Sequence, residues 1–188
     1  MKRVALYGGS FDPPHHGHVM VATWALASGD FDEIRLLPVA GHAFGKALSP
    51  FETRCQMVDA AVRHLGPRVI VDPIEAGLPV PSYTVDTVRA MLEADPNQAI
   101  TVVVGTDTWA GRARWREWDT LSTLVSFLVI GRDGYDAPAD IAVPTTFPNI
   151  SSTEARARIR RGEAVWSLLP DAVAEITARE HLYQLDSA

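Results

Sequence analysis

A chain of 188 residues that is 47% hydrophobic and 21% charged has enough apolar mass to close a core without disulfides, and its composition excludes a disordered chain. The formal net charge of −6 argues against a surface built to neutralise a nucleic-acid backbone, yet it leaves room for a local basic pocket that takes a few phosphates. Cys55 is the only cysteine, which excludes an intrachain disulfide and a cysteine-built zinc cluster and suits a reducing compartment, so a cytoplasmic location is expected.

In chain order, residues 3–7 read as a first strand, too short an apolar run for a signal peptide. A loop of two glycines and two prolines follows, then a helix over residues 17–27 and a second strand over 33–38. Ser49-Pro50-Phe51-Glu52 reads as an N-cap, a first-turn proline and a capping-box glutamate, opening a helix over 50–65. A strand over 68–72, a helix over 84–94 and a strand over 100–104 come next. The apolar run 124–130 gives a fifth strand; it is far shorter than the ~20 residues that span a bilayer, and no membrane partner is expected. Ser151-Ser152-Thr153-Glu154 repeats the capping box for a helix over 151–161, Gly162 supplies its stop, and a last helix covers 171–180. Strands alternating with helices predict an α/β fold, a doubly wound parallel sheet, and no linker or repeat divides residues 1–188 into more than one domain.

Ligands of such sheets bind beyond the carboxyl ends of the strands, which directs attention to Gly8-Gly9-Ser10-Phe11-Asp12-Pro13-Pro14. Paired glycines let a backbone approach a bulky anion, but they equally make a tight turn, and the spacing matches neither a Walker loop nor GxGxxG. His15 and His18 follow at a spacing of three, which puts two imidazoles on one face of a helix start that favours negative charge. A metal site of His15, His16 and His18 is the alternative, weakened by the lack of a carboxylate or cysteine at ligand spacing, and no metal ligand set is assigned. Gly105-Thr106-Asp107 lies at the end of the fourth strand, where Asp107 either meets ribose hydroxyls or caps the next helix.

Gly8 to Pro14 with His15-x-Gly17-His18 resembles the signature of bacterial nicotinate-mononucleotide adenylyltransferases, in the nucleotidyltransferase superfamily that carries (H/T)-x-G-H. Ile150-Ser151-Ser152-Thr153-x-x-Arg156 is similar to the second superfamily signature, and Ser82-Tyr83-Thr84-x-Asp86-Thr87 and His181-Leu182-Tyr183 extend the resemblance over nearly the whole chain. It implies a Rossmann-like sheet of nucleotidyltransferase type, ATP and nicotinate mononucleotide as partners, and Mg²⁺ carried with ATP. It further implies that His15, His18, Lys46 and Arg156 are catalytic. Gly8, Gly9, Ser10, Phe11, Gly17, Gly105, Asp107, Arg132, Ile150, Ser151 and Ser152 would bind ATP; Tyr83, Thr84 and Trp115 would bind the mononucleotide.

Each assignment has a plainer alternative. Ser82 or Thr84 also reads as an N-cap, Arg132 as an exposed loop arginine, and Ser151 to Arg156 as an ordinary capped basic helix. Trp109, Trp115 and Trp118 lie too close in sequence to say which faces a ligand. The loop before Lys46 departs from the family's proline-rich stretch, and His42 in it has no firm counterpart. Rival activities are adenylyl transfer to nicotinamide mononucleotide or phosphopantetheine, and nucleotide sensing without catalysis. The oligomeric state is not legible.

Overall fold

Along β1 (Lys2–Gly9), Val4 and Leu6 enter one apolar cluster while Ala5 enters another, the period-two alternation of a strand covered on both faces. The computed structural model describes residues 1–41 and 48–184. Six parallel strands lie in the order β3-β2-β1-β4-β5-β6. The others are β2 (Glu33–Pro38), β3 (Val69–Val71), β4 (Gln98–Gly105), β5 (Ser126–Arg132) and β6 (Thr146–Phe147).

One face is packed by α1 (His16–Ser28), α2 (Phe51–Val62), α6 (Ser152–Arg160) and α7 (Asp171–Arg179), whose Ala22, Met57, Ala155 and Val173 reach a common core with Ala5 and Leu36. The opposite face carries α3 (Thr84–Ala94), α4 (Thr106–Trp109) and α5 (Trp118–Leu124), with Val88, Trp109 and Leu121 against Val4 and Val102. Strand order reverses between β1 and β4, so the crossovers on either side diverge and leave a crevice at their carboxyl ends. No helix of the described residues is long and apolar enough to cross a membrane.

Four expectations require correction. The fifth strand begins at Ser126 rather than 124: Leu121 is wholly buried and accepts the Val125 N–H, so α5 claims the front of the apolar run. Ser49 does not cap α2; Pro50 holds that position, since its carbonyl accepts the Arg54 N–H at 3.1 Å while the Ser49 carbonyl is taken by Arg54 Nε at 2.9 Å. The helix also stops at Val62 and tightens into a 3₁₀ turn over Arg63–Leu65. Ser151, by contrast, accepts the Glu154 N–H at 3.2 Å as a cap should, although the Glu154 carboxylate goes to Arg158 instead of closing the box.

Candidate active site

The crevice is a cavity of about 860 Å³, lined by Gly8, Gly9 and Ser10 where β1 ends and by Gly105 and Asp107 where β4 ends. His15 is the cap residue of α1 and only 7% exposed. His18, one turn on, accepts the His15 backbone N–H at its Nδ1 (3.0 Å), which in the neutral ring leaves the proton on Nε2. The two rings stack with centroids 3.7 Å apart, both line the cavity, and His15 Nδ1 is buried without a partner. That stacking needs Gly17: a Cβ there would stand 2.9 Å from His15 Nδ1.

Burial, followed by the charge of Arg132, pushes the His15 pKa down to about 3. Burial, then His15 and Arg132, likewise hold His18 well below its ordinary value. Both rings are therefore uncharged donors at neutral pH. The His16 N–H is taken by the Leu168 carbonyl, so α1 presents its histidines to the cavity rather than its first amide.

Arg132, at the end of β5, is fixed by three acceptors: Asp107 Oδ2 at 2.5 Å, Asn149 Oδ1 at 2.8 Å and the Ile150 carbonyl at 3.0 Å. Asp107 is thereby committed to a guanidinium, and Gly105 leaves it room, since a Cβ there would strike its carboxylate. Ile150, Arg132 and Asp107 all line the cavity.

The start of α6 is pinned to the first loop from across the fold. Ser152 Oγ donates to the Pro13 carbonyl at 2.8 Å and Arg156 Nη1 to the Asp12 carbonyl at 2.6 Å. Arg156, Ser151 and Ser152 are not among the cavity's walls, and the Phe11 side chain is core, edge-on to Tyr7 and His18. Lys46 and His42 lie outside the described residues.

Trp115, Tyr83 and Thr84 also line the cavity. Trp109 is buried and Trp118 packs on Trp109 and Phe127 at 5.7 and 5.1 Å, so Trp115 is the tryptophan that lines the space. Arg116 lies over the Tyr83 ring at 4.9 Å and is itself among the residues that line the cavity. Among the described residues, no three His, Cys, Asp or Glu side chains converge as a metal ligand set.

Three residues of this region were not legible beforehand. Arg54, 1% exposed, donates to the carbonyls of Val39 (2.8 Å), Ser10 (2.9 Å) and Ser49 (2.9 Å), tying the loops after β1 and β2 to α2. Asp12, 3% exposed, accepts the Tyr183 hydroxyl at 2.5 Å, which fastens the C-terminal segment to the first loop. Glu75 lines the cavity from a 3₁₀ turn, Ile74–Gly77. A charged residue at i+3 from Phe51 and three before Met57, on the apolar stripe of its helix, was the available signal for Arg54; for the others the partners are too distant in sequence.

A family model described as cytidylyltransferase-like matches residues 6–158. Similar proteins include one of Anaeromyxobacter dehalogenans (strain 2CP-C), named a probable nicotinate-nucleotide adenylyltransferase, 42% identical over 185 residues with 97% of both chains covered. Another of that name, from Myxococcus xanthus (strain DK1622), is 38% identical over 184 residues, covering 97% of this chain and 95% of its own. In fold, the chain matches the Plasmodium falciparum nicotinic acid mononucleotide adenylyltransferase complexed with NaAD, with a TM-score of 0.83 at 20% identity over 97% of this chain and 98% of that one.

Proposed function

The chain belongs to the nicotinate-nucleotide adenylyltransferases of the cytidylyltransferase-like family, and from that premise we infer that its cavity joins ATP to nicotinate mononucleotide. The products are nicotinate adenine dinucleotide and pyrophosphate, a step of NAD biosynthesis. The observation that carries this reading is that one cavity is lined both by the donors His15, His18 and Arg132 and by the rings of Trp115 and Tyr83.

A 5′-phosphate oxygen of the mononucleotide attacks the α-phosphorus of ATP; a P–O bond forms, the bond to the β-phosphate oxygen breaks, and pyrophosphate leaves. No protein nucleophile takes part. The chain aligns two anions and disperses the charge that builds as they meet. Neutral His15 and His18 bind as donors, and the approach of phosphate raises their low pKa values, so their bonds strengthen as negative charge accumulates. Gly8, Gly9, Ser10 and Gly17 give the triphosphate close access to backbone, with the Phe11 backbone at the edge of the same turn. Gly105, Asp107 and Ile150 flank the adenosine, and Arg132 neutralises phosphate charge. Ser152 and Arg156 act through the first loop, which they hold from α6, and Ser151 caps the start of that helix. Lys46 is proposed as a further cation on the phosphates. The metal enters as part of the MgATP substrate: Asp107 is committed to Arg132 and Asp12 to Tyr183, which suits an ion held by phosphates rather than by a protein cage.

The pyridine ring stacks on Trp115, with its carboxylate toward the first N–H groups of α3 at Tyr83-Thr84 and the Arg116 guanidinium. An acid meets donors there; an amide would bring its own donors against them. We place the reaction in the cytoplasm, in keeping with the lone cysteine, and with one domain spanning residues 1–188 as its unit.

The test is pyrophosphate release from MgATP by the purified chain, with nicotinate mononucleotide, nicotinamide mononucleotide and phosphopantetheine in competition. Preferred turnover of the nicotinate compound is expected. Preference for either rival overturns the acceptor, and ATP binding without release for any of the three overturns the enzyme.

A further inference from the structure

Glu75 is 5% exposed, and its carboxylate joins three separate stretches of chain. Oε2 accepts the Ser82 hydroxyl at 2.5 Å and the Ala40 N–H at 3.1 Å; Oε1 accepts the Thr87 hydroxyl at 3.2 Å. Ala40 belongs to the loop after β2, Ser82 to the entry of α3, and Thr87 to the first turn of α3. Gly41, Ser82, Tyr83, Thr84 and Thr87 all line the cavity, and the two segments touch where a Cβ on Gly41 would come 2.5 Å from Val80 Cγ1.

We propose that Glu75 is a positioning residue for the mononucleotide half of the cavity, holding the loop after β2 against the start of α3 so that Tyr83 and Thr84 keep their register on the pyridine ring. This rests on the proposed acceptor chemistry. All three partners reach Glu75 as donors, two of them on Oε2, so the position requires a compact planar group with at least one acceptor oxygen at the Oε2 place and a polar atom facing Thr87. The groups at the ATP end, His15, His18 and Arg132, are held by contacts that do not involve Glu75. Removing Glu75 therefore weighs on the mononucleotide more than on ATP, whose loop stays tied to the loop after β2 by the Val39 N–H on the Gly9 carbonyl and by Arg54.

Glutamine can reproduce the clasp. Its carbonyl oxygen takes both bonds of Oε2, and its NH₂ donates to Thr87 Oγ1, whose own hydrogen then turns to the Tyr83 carbonyl 3.3 Å away. Alanine leaves three donors without an acceptor.

The experiment measures kcat and KM for each substrate, the other saturating, in the wild-type chain, Glu75→Ala and Glu75→Gln. Glu75→Ala is expected to raise KM for nicotinate mononucleotide about tenfold or more and to leave KM for ATP within about twofold, with Glu75→Gln within about threefold of wild type for both. Equal rises in the two KM values, or a glutamine variant as impaired as alanine, overturn the proposal. Should Glu75→Ala fail to fold, the double variant Ser82→Ala/Thr87→Val removes two of the clasp's donors, and an unchanged KM for the mononucleotide overturns it. Failure of the acceptor assignment shows separately, as a wild-type chain that prefers another acceptor, and the same split is then read with that acceptor.

Discussion

Replacing Arg54 with methionine keeps an unbranched apolar stem while removing the guanidinium. Three donated bonds disappear, to Ser10, Val39 and Ser49, all between 2.8 and 2.9 Å. Each orphaned carbonyl loses about 1 to 3 kcal/mol of partnering if water cannot reach it, and these half-buried ones sit toward the lower figure. Against this, a buried charge no longer has to be desolvated; burial already holds the Arg54 pKa below its ordinary value, although Asp12 opposes that shift. The net expectation is a loss of about 2 to 3 kcal/mol, three carbonyls at about 1 kcal/mol each less the desolvation that the charge no longer costs, still a sizeable fraction of a typical domain's stability. Urea denaturation followed by tryptophan fluorescence and circular dichroism reads it. Arg54→Lys, which keeps the charge but not the planar fork, should recover part of the loss. A methionine variant within about 1 kcal/mol of wild type would refute the view that Arg54 fastens the loops after β1 and β2 to α2.

His18→Gln is expected to lower kcat by about a hundredfold or more, as removal of a transition-state donor does, with a smaller change in KM for ATP; unchanged turnover in steady-state kinetics would take His18 out of the chemistry. Folded His15 stays unprotonated down to about pH 3, whereas an unfolded histidine protonates near its ordinary 6.5, so the unfolded chain binds more protons between those values. Stability is thus full above about pH 6.5 and falls as pH drops, by about 1.4 kcal/mol at pH 5.5 from His15 alone, with His18 acting in the same direction; coincident urea midpoints at pH 7 and 5.5 would contradict it. Trp115→Ala should raise KM for the mononucleotide by about tenfold through loss of stacking. Trp118→Ala should instead lower the melting temperature, and the reverse assignment of effects would exchange their roles. Asp107→Asn loosens Arg132 and is expected to weaken ATP binding measured by calorimetry by about tenfold, with the mononucleotide unaffected.

The parts of the site that could be read from sequence are the local ones. Gly8-Gly9, the His15/His18 spacing and the Ser151 cap each act within a few residues, so pattern and geometry coincide. The tie between the two signatures was hidden because Ser152 meets Pro13, and Arg156 meets Asp12, across most of the chain. Arg54, Glu75 and Asp12 were hidden for the same reason: their partners come from loops that only the sheet brings together. The fifth strand was placed two residues early because Leu124 is apolar in either setting, and only the packing of Leu121 assigns it to a helix. Trp115 and Trp118 are alike in composition and differ only in what the fold puts beside them.

The most direct test of adenylyl transfer is to follow the label with purified chain, nicotinate mononucleotide and ATP carrying radioactive phosphorus at either the α or the γ position. Attack at the α-phosphorus predicts that α-label appears in the dinucleotide and γ-label in pyrophosphate, in equal molar yield. Label from the γ position in the mononucleotide product, or release of inorganic phosphate in place of pyrophosphate, would contradict it.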